Sequence, residues 1–171
     1  ATLMQREFWT LISDYGATSF AGVPYTYEML EKLRFMRREL PLLRTLTQAG
    51  GKLSPELHRK FAEYAATTGK NFVVMYGQTE ATARMGWLPP EKSLAKAGAM
   101  GIAIPGGKFS LIDAEGKTIT EPGIVGELVY DGENVALGYA ENGTDLAKGD
   151  EWHGHLVTGD MAKIDSDGFY Y

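Results

Sequence analysis

Apolar residues in the first half of the chain alternate between the spacing of an amphipathic helix and that of a buried strand. The segments follow one another in the order helix 3–16, strand 17–23, helix 25–36, strand 43–50, helix 54–68 and strand 71–77. The last run, NFVVMYG, is almost wholly apolar, which is typical of a strand covered on both faces. This alternation with short connections predicts a parallel βαβαβ sheet with right-handed crossovers.

Residues near the ends of the helices give start and stop signals. Gly16 and Gly69 suit the C-termini of the first and third helices. Ser54 is the predicted N-cap of the third helix, with Pro55 at its first position, and Thr26 is the predicted cap of the second. The first helix has an apolar face formed by Leu3, Met4, Phe8, Leu11, Ile12 and Tyr15. The predicted buried stripe of the third helix comprises Leu57, Phe61, Tyr64 and Ala65.

The pattern changes after residue 87. Residues 88–107 are rich in proline and glycine and have no sustained period, so we predict a lobe boundary there. Strand-like segments follow at 108–113, 117–120, 123–132 and 161–171. The predicted fold class is therefore α/β, with a parallel lobe and flanking helices in residues 1–87 and a small antiparallel sheet or partial barrel in residues 108–171.

Two segments of the second half, IDAEGK and IDSDGF, share an apolar residue, an aspartate and a later glycine. This order is typical of hairpin turns, because glycine adopts positive φ without strain. DSDG also resembles the start of a calcium loop, but the spaced ligands and the distal glutamate of an EF-hand loop do not follow it. The pattern favours hairpins over a calcium site.

Composition and charge narrow the functional classes. The 171 residues carry a formal net charge of -5, which argues against the basic face that nucleic-acid binding requires. The absence of cysteine excludes disulfides and thiolate chemistry. No apolar run approaches the roughly 20 residues of a membrane-spanning helix, and the N-terminal segment lacks the order of a signal peptide. We therefore expect a cytoplasmic protein that has no transmembrane segment and binds no nucleic acid.

Polar groups and glycines collect where the predicted strands end. The glycines of residues 50–51 leave bare backbone for a flat ring, and the aromatic ring of Tyr76 suits stacking on such a ligand. Thr79 suits a phosphate oxygen, Glu80 a magnesium ion shared with phosphates, and Asp160 the diol of a ribose. Parallel sheets bind ligands at the carboxyl ends of their strands, so these groups together suit a nucleotide. Taken singly, each also fits a structural role, as a core aromatic, a loop, a solvated carboxylate or a turn residue.

Five segments resemble, in the same order, the signatures of the adenylate-forming superfamily, which includes acyl-CoA synthetases, peptide-synthetase adenylation domains and firefly-type luciferases. The segments are LRTLTQAGGKLSPEL, MYGQTEAT, KAGAMGIAIPGGKFSLID, GIVGELVYDGENVALGYA and LVTGDMAKIDSDGFYY. The second is similar to the central aromatic-Gly-x-Thr-Glu motif. The resemblance covers nearly the whole chain and implies an internal part of the family's large N-terminal domain.

The resemblance implies a role for each matched position. Thr79 is expected to hold the α-phosphate, Glu80 the magnesium ion and Asp160 the ribose hydroxyls, with Thr79 and Glu80 as the catalytic residues. Tyr25 and Gly77 fall, more loosely, where the family places part of its acyl pocket. Stacking on the adenine is the role implied for Tyr76, and backbone contact with it the role for residues 50–52. The full nucleotide-binding set implied is Gly50, Gly51, Lys52, Tyr76, Gly77, Gln78, Thr79 and Asp160.

The family's reaction implies ATP and Mg²⁺ as cofactors, with coenzyme A or the phosphopantetheine of an acyl carrier protein as acyl acceptor. A carboxylate attacks the α-phosphate of ATP, giving an acyl-adenylate and pyrophosphate, and most members then transfer the acyl group to a thiol. Amino-acid substrates are usually marked by an aspartate early in the pocket segment. ATSFAGVPYTY has none, which favours an aliphatic or aryl acid. The alternatives are a peptide-synthetase-type adenylation domain that loads a carrier protein and a non-catalytic scaffold relative.

Two parts of the family pattern are not found in this sequence, namely the Ser/Thr/Gly-rich phosphate loop and the C-terminal domain with its lysine. Both chain ends are typical of a piece cut from a larger protein. Because the two missing parts supply main cationic contributors to transition-state stabilisation, we expect no adenylation by this piece alone. An exposed strand edge predicts its self-association. The segment DEWHGHLVTGD departs from the family's Gly-Trp-aromatic run. Its His153 and His155 suit a surface strand better than a metal site, because two ligands rarely suffice.

Overall fold

The structure, a computed structural model, describes residues 2–171. Contacts divide the chain into two compact units, the first comprising residues up to 74 with 88–98 and the second 75–87 with 99–171. Parallel strands with helices and a separate antiparallel sheet confirm the predicted α/β class. The predicted division into three consecutive segments stays a prediction. No helix among the described residues is long and apolar enough to span a bilayer.

Parallel strands form the sheet of the first unit, as predicted. They are β1 (Ser19–Gly22), β2 (Thr45–Gln48) and β3 (Asn71–Tyr76), whose last two residues belong to the second unit. Gly22 pairs with Gln48, and Gln48 pairs with Val74. The carboxyl ends of the three strands therefore lie side by side at one edge of the sheet.

Three helices accompany this sheet, and their ends follow the sequence signals unequally. They are α1 (Arg6–Asp14), α2 (Pro24–Lys32) and α3 (Pro55–Thr68). Ser54 caps α3, since its Oγ accepts a backbone hydrogen bond at 3.3 Å, and Gly69 ends it at φ 65°. The predicted cap at Thr26 is wrong. Proline at the first helical position already fixes φ, so α2 begins at Pro24 and Val23 is its N-cap.

The apolar face predicted for α1 is only partly buried. Met4, Leu11 and Tyr15 are exposed, the last at 83%. The buried residue of α1 is Trp9, whose ring packs against Phe35 at a centroid distance of 6.0 Å. Burying a large indole removes much apolar surface from water, which explains why α1 packs through Trp9 rather than through the predicted stripe.

Helix α3 buries a histidine that the sequence did not single out. His58 is 1% exposed, and its Nδ1 accepts a hydrogen bond from the Gly98 N–H at 3.0 Å. Nε2 lies 3.0 Å from the Ser93 hydroxyl oxygen. Because Nδ1 acts as an acceptor, the neutral ring carries its proton on Nε2 and donates it to Ser93. Burial lowers the pKa of His58 from 6.5 to about 4, so the native state holds this ring neutral.

The free energy of unfolding is expected to fall as the pH drops below neutrality. In the unfolded chain His58 takes up a proton near pH 6.5, whereas in the native state it does so only near pH 4, so acid favours unfolding. The stabilisation that the neutral ring of His58 provides is complete above pH 6.5. About 2 kcal/mol of the free energy of unfolding is lost between pH 7 and pH 5. Urea unfolding at these two pH values measures the loss.

The control for this prediction compares two histidine variants. His58→Gln is expected to remove most of the loss between pH 7 and pH 5, whereas His153→Gln, which changes an exposed ring, should keep it. An equal pH dependence in wild type and His58→Gln would show that other groups cause the acid sensitivity.

Antiparallel pairs build the second unit. The last residues of β3, Met75 and Tyr76, pair with β4 (Gly86–Trp87), which in turn pairs with β5 (Ile102–Ala103). A four-stranded sheet has the order β7-β6-β8-β9. Its strands are β6 (Lys108–Ile112), β7 (Thr118–Ile119), β8 (Val125–Asp131) and β9 (His155–Lys163). This is the small antiparallel sheet that the sequence predicts.

Both predicted hairpin turns have the same geometry. Asp113 Oδ1 accepts two backbone N–H bonds, at 3.0 and 2.8 Å, and Asp165 Oδ1 accepts two at 2.9 Å. Gly116 and Gly168 follow at φ 77° and 86°. The predicted strand at 161–171 is corrected, because this second turn interrupts it and the strand proper begins earlier in the chain.

Candidate nucleotide-binding site

A bulge in β9 positions Asp160. The register of β8 and β9 shifts between Glu127 and Val129, so that Thr158–Asp160 of β9 face one residue of β8. Gly159 lies in the bulge at φ 75°, a conformation that few other residues adopt without strain. Bulges redirect side chains and are common beside active sites. The bulge therefore takes the Asp160 carboxylate out of the regular alternation of the strand.

Two donors from the end of β3 hold this carboxylate. The Tyr76 hydroxyl donates to Asp160 Oδ2 at 2.6 Å, and Gln78 Nε2 donates to the same oxygen at 3.1 Å. Gln78 Nε2 also lies 2.9 Å from the carbonyl oxygen of Thr158. In the part of the chain that the structure describes, no protein donor reaches Oδ1 of Asp160. One carboxylate oxygen is thus fixed by the protein, and the other is left to accept hydrogen bonds from a ligand.

The network continues behind the carboxylate. Thr158 Oγ1 donates to the Leu128 carbonyl at 2.8 Å and accepts from the Asp160 N–H at 3.1 Å. Burial, and then the hydrogen bond to Asp160, raise the pKa of the Tyr76 phenol, so it keeps its proton and acts as the donor. Its ring meets Phe109 edge to face at 6.1 Å. Tyr76 is therefore held at both its ring and its hydroxyl.

The loop after Tyr76 turns back tightly on itself. A Cβ on Gly77 would lie 2.4 Å from the carbonyl oxygen of Ala83, a backbone atom, so only glycine fits there. Thr82 and Ala83 have φ values of 50° and 65°, in the left-handed region that such residues rarely adopt. Between them and Gly77, Thr79–Ala81 form a single 3₁₀ turn that carries the predicted catalytic residues. The loop therefore presents Thr79 and Glu80 from a constrained backbone.

Glu80 is anchored through both its backbone and its side chain. Its carbonyl accepts a hydrogen bond from the Ala136 N–H at 2.7 Å, and its Oε1 accepts one from the Tyr139 hydroxyl at 2.7 Å. The Tyr139 hydrogen bond holds the pKa of Glu80 below its usual value, so the carboxylate is ionised. Among the described residues no three acidic or histidine side chains gather to hold a metal. One ionised carboxylate still suits Mg²⁺, which often takes one or two carboxylates together with phosphate oxygens and water.

The predicted adenine loop lies in the first unit, after β2. Gly50 and Gly51 have φ values of 77° and 150°, and a Cβ on either would lie 3.3 Å from Val23 or 3.2 Å from Pro24. Gln48, fully buried, donates from Nε2 to the Gly51 carbonyl at 2.8 Å. The loop is thus fixed by a side chain to which the sequence pattern assigns no role.

Lys52 and Tyr25 also belong to the first unit, and both are exposed, Tyr25 at 66%. His153 and His155, the weaker metal candidates, contact separate carboxylates of the second unit. His155 Nδ1 lies 2.7 Å from Asp131 Oδ1, and His153 Nδ1 lies 3.8 Å from Asp150 Oδ2. Tyr76, Gln78, Thr79, Glu80 and Asp160 all belong to the second unit, and among them the structure joins Tyr76 and Gln78 to Asp160. Their roles in binding stay predictions.

Sequence reasoning missed three residues that support this cluster, namely Asn134, Tyr139 and Thr158. It also missed Gln48, which fixes the predicted adenine loop of the first unit. Tyr139 and Asn134 stand in GENVALGYA, a segment that indicates the family without assigning a role to either side chain. Thr158 gave a usable signal, because a hydroxyl two residues before Asp160 suits a local hydrogen bond to its backbone.

The constrained Thr-Glu turn and the aspartate held by Tyr76 and Gln78 agree with the class of adenylate-forming enzymes. The chain belongs to the family described as AMP-binding enzyme, whose model matches residues 1–140. The recognition made from the five sequence segments is thereby confirmed.

Individual relatives agree with this family. The chain is 31% identical over 170 residues to 4-hydroxybutyrate--CoA ligase 1 of Metallosphaera sedula, covering 97% of this chain and 29% of that protein. The crystal structure of the anthranilate CoA ligase AuaEII with anthranoyl-AMP is 27% identical, with a TM-score of 0.78 over 96% of this chain and 31% of the other. The complex of VinN with L-aspartate is 29% identical, with a TM-score of 0.72 over 95% and 39%. The chain thus spans less than a third of the length of that CoA ligase relative.

Proposed function

We propose that the protein containing this chain is an ATP-dependent carboxylate–CoA ligase, which forms an acyl-adenylate and pyrophosphate and then transfers the acyl group to a thiol. The observation that carries the proposal is the contact of Tyr76 and Gln78 with Asp160, in the same unit as the Thr79–Glu80 turn. The names of the CoA ligase relatives support the reaction class. A cytoplasmic location stays a prediction from composition.

Asp160 binds the ribose of ATP in this proposal. Its Oδ2 is already held by two protein donors, so the carboxylate is oriented before the ligand arrives. Oδ1 then accepts a ribose hydroxyl without any rearrangement of the side chain. The Tyr76 ring, fixed by its hydroxyl and by Phe109, supplies an aromatic face for the adenine.

Thr79 and Glu80 act on the phosphates. The Thr79 side chain is exposed, and its hydroxyl donates to an oxygen of the α-phosphate. Glu80 is ionised and would hold a Mg²⁺ ion, which would supply positive charge to offset the charge that gathers on the phosphoryl oxygens. No proton needs to leave the attacking carboxylate, so neither residue has to act as a general base. Their contribution is electrostatic and positional.

The acid is proposed to be aliphatic or aryl, because the pocket segment has no aspartate to pair with an amino group. The roles implied for Tyr25 and Gly77 in binding the acid stay predictions. The alternative is an adenylation domain that loads an amino acid on a carrier protein, and the similarity to VinN, which was solved with L-aspartate, favours testing it. The two alternatives differ in the acyl acceptor, which is coenzyme A for the ligase and the phosphopantetheine of a carrier protein for the adenylation domain.

Pyrophosphate release by the full-length protein tests the function. With ATP and Mg²⁺, a panel of aliphatic, aryl and amino acids should contain at least one that releases pyrophosphate, and coenzyme A should then yield the thioester. Glu80→Gln is expected to lower this release about 100-fold, because the metal loses its anionic ligand.

Glu63→Gln is the matched control for this experiment. It changes an exposed glutamate on α3 by the same amide replacement and should leave the release unchanged. Release that depends on an amino acid and a carrier protein would favour the adenylation-domain alternative. No pyrophosphate release with any acid would favour a non-catalytic scaffold instead.

A further inference from the structure

A short segment of the second unit, residues 134–139, holds the loop that carries Glu80 through hydrogen bonds. We call this segment the strap. The Asn134 amide donates to the carbonyl oxygens of Ala81 at 2.8 Å and Arg84 at 2.9 Å. Asn134 is itself oriented, since its Oδ1 accepts the Tyr130 hydroxyl at 2.8 Å. The strap thus pairs two carbonyl oxygens of this loop.

The strap reaches Glu80 at two points. The Ala136 N–H donates to the Glu80 carbonyl, and three residues later the Tyr139 hydroxyl donates to the Glu80 carboxylate, both at 2.7 Å. The backbone contact fixes where the residue lies, and the hydroxyl contact fixes how its carboxylate is turned. The second contact acts directly on the group assigned to the metal.

The ring of Tyr139 is held independently of its hydroxyl. It meets Trp152 edge to face, with centroids 4.9 Å apart and planes at 87°. The preceding backbone is fixed as well, because the Glu151 N–H donates to the Leu137 carbonyl at 2.7 Å. A phenylalanine at this position would therefore keep the ring contact and lose only the hydrogen bond.

We propose that Tyr139 is a positioning residue that orients the Glu80 carboxylate for the divalent cation of the reaction. The inference rests on the proposed function, since it concerns the same carboxylate. In the opposite arrangement, the hydroxyl blocks the carboxylate and must leave before the cation binds. Removing the hydroxyl would then strengthen the effect of Mg²⁺ on ATP binding.

The chemistry of the pair agrees with a positioning role, because the phenol hydroxyl donates and the Glu80 carboxylate accepts. A charged and oriented carboxylate is what a hard cation such as Mg²⁺ requires.

The test measures how much Mg²⁺ strengthens ATP binding to the full-length protein. Calorimetric titration with ATP, in the absence of any carboxylic acid, is carried out in excess Mg²⁺ and again in EDTA. Tyr139→Phe is expected to reduce the Mg²⁺-dependent gain in ATP affinity about 3- to 10-fold, with the affinity in EDTA unchanged. Tyr15→Phe, at an 83% exposed tyrosine of the first unit, is the matched control and should behave as wild type.

A thermodynamic cycle assigns the effect to Glu80. Glu80→Gln should lose the Mg²⁺-dependent gain in ATP affinity. The double variant with Tyr139→Phe should show no further loss of that gain. An unchanged or larger gain in Tyr139→Phe overturns the inference, the larger gain favouring a blocking hydroxyl. If Tyr139→Phe loses equal ATP affinity in Mg²⁺ and in EDTA, the inference is also overturned, since that result indicates a structural role for Tyr139. Failure of wild type to bind ATP at all would defeat the proposed function itself, whereas ATP binding with a normal Tyr139→Phe variant defeats only this inference.

Discussion

Replacing Asp160 by asparagine in the full-length protein is expected to weaken AMP binding about 10- to 100-fold, because hydrogen bonds to a charged group are lost from a preorganised carboxylate. The change keeps the shape of the side chain, so the loss reports on its charge and acceptor capacity. The amide also places a donor where Tyr76 and Gln78 already donate, which disturbs the orientation of the group. Calorimetric titration with AMP measures the effect.

Nucleotide analogues show whether the loss concerns the ribose. Wild type should bind 2′,3′-dideoxy-AMP about as weakly as the Asp160→Asn variant binds AMP, and the variant should not distinguish the two nucleotides. Asp14→Asn, at an exposed aspartate of α1, is the control and should bind AMP normally. A variant that still prefers AMP to the dideoxy form would refute the contact between Asp160 and the ribose.

Gly77→Ala is expected to displace the loop that carries the Thr-Glu turn. The added methyl would lie 2.4 Å from the Ala83 carbonyl oxygen and 2.7 Å from its carbon, and backbone atoms cannot swing aside as a flexible side chain can. We expect a loss of about 1–3 kcal/mol in the free energy of unfolding. ATP affinity in Mg²⁺ should fall as well, because Glu80 follows three residues later in the same loop.

A second glycine serves as the control for this substitution. At Gly143 an added methyl would have no atom within 4 Å, and the backbone there has no left-handed φ, so Gly143→Ala should change neither quantity. Chemical denaturation and ATP titration of both variants give the comparison. Normal ATP binding by Gly77→Ala would mean that the loop tolerates the shift and is not a constrained part of the site.

The main fold was predictable because its signals are local. The apolar run before Tyr76 becomes β3, and Ser54 with Pro55 starts α3 where capping chemistry places it. The errors occur where tertiary packing overrides a local preference. Thr26 suits a cap, but the proline two residues earlier already starts α2. The first helix packs through Trp9 rather than through its regular apolar stripe.

The sequence proposes a set of candidate site residues but does not predict their arrangement. Family resemblance selects Glu80 and Asp160, and it includes Gln78 in the nucleotide-binding set without indicating that this amide binds Asp160. Tyr139 received no role, because nothing in its immediate sequence indicates that its hydroxyl meets a carboxylate 59 residues away. Side-chain partners of this kind depend on register, which a local pattern does not encode.

The sequence by itself determined the α/β class, the parallel order of the first strands, the turn residues and the family, since these follow from periodicity, backbone preference and short motifs. Only the tertiary structure decided that Tyr76 and Asp160 meet across 84 residues and that Tyr139 holds Glu80. The reason is geometric. A bulge in β9, in which three residues lie opposite one residue of β8, redirects Asp160. The position of this bulge depends on how the two strands pair, which a local sequence pattern does not encode.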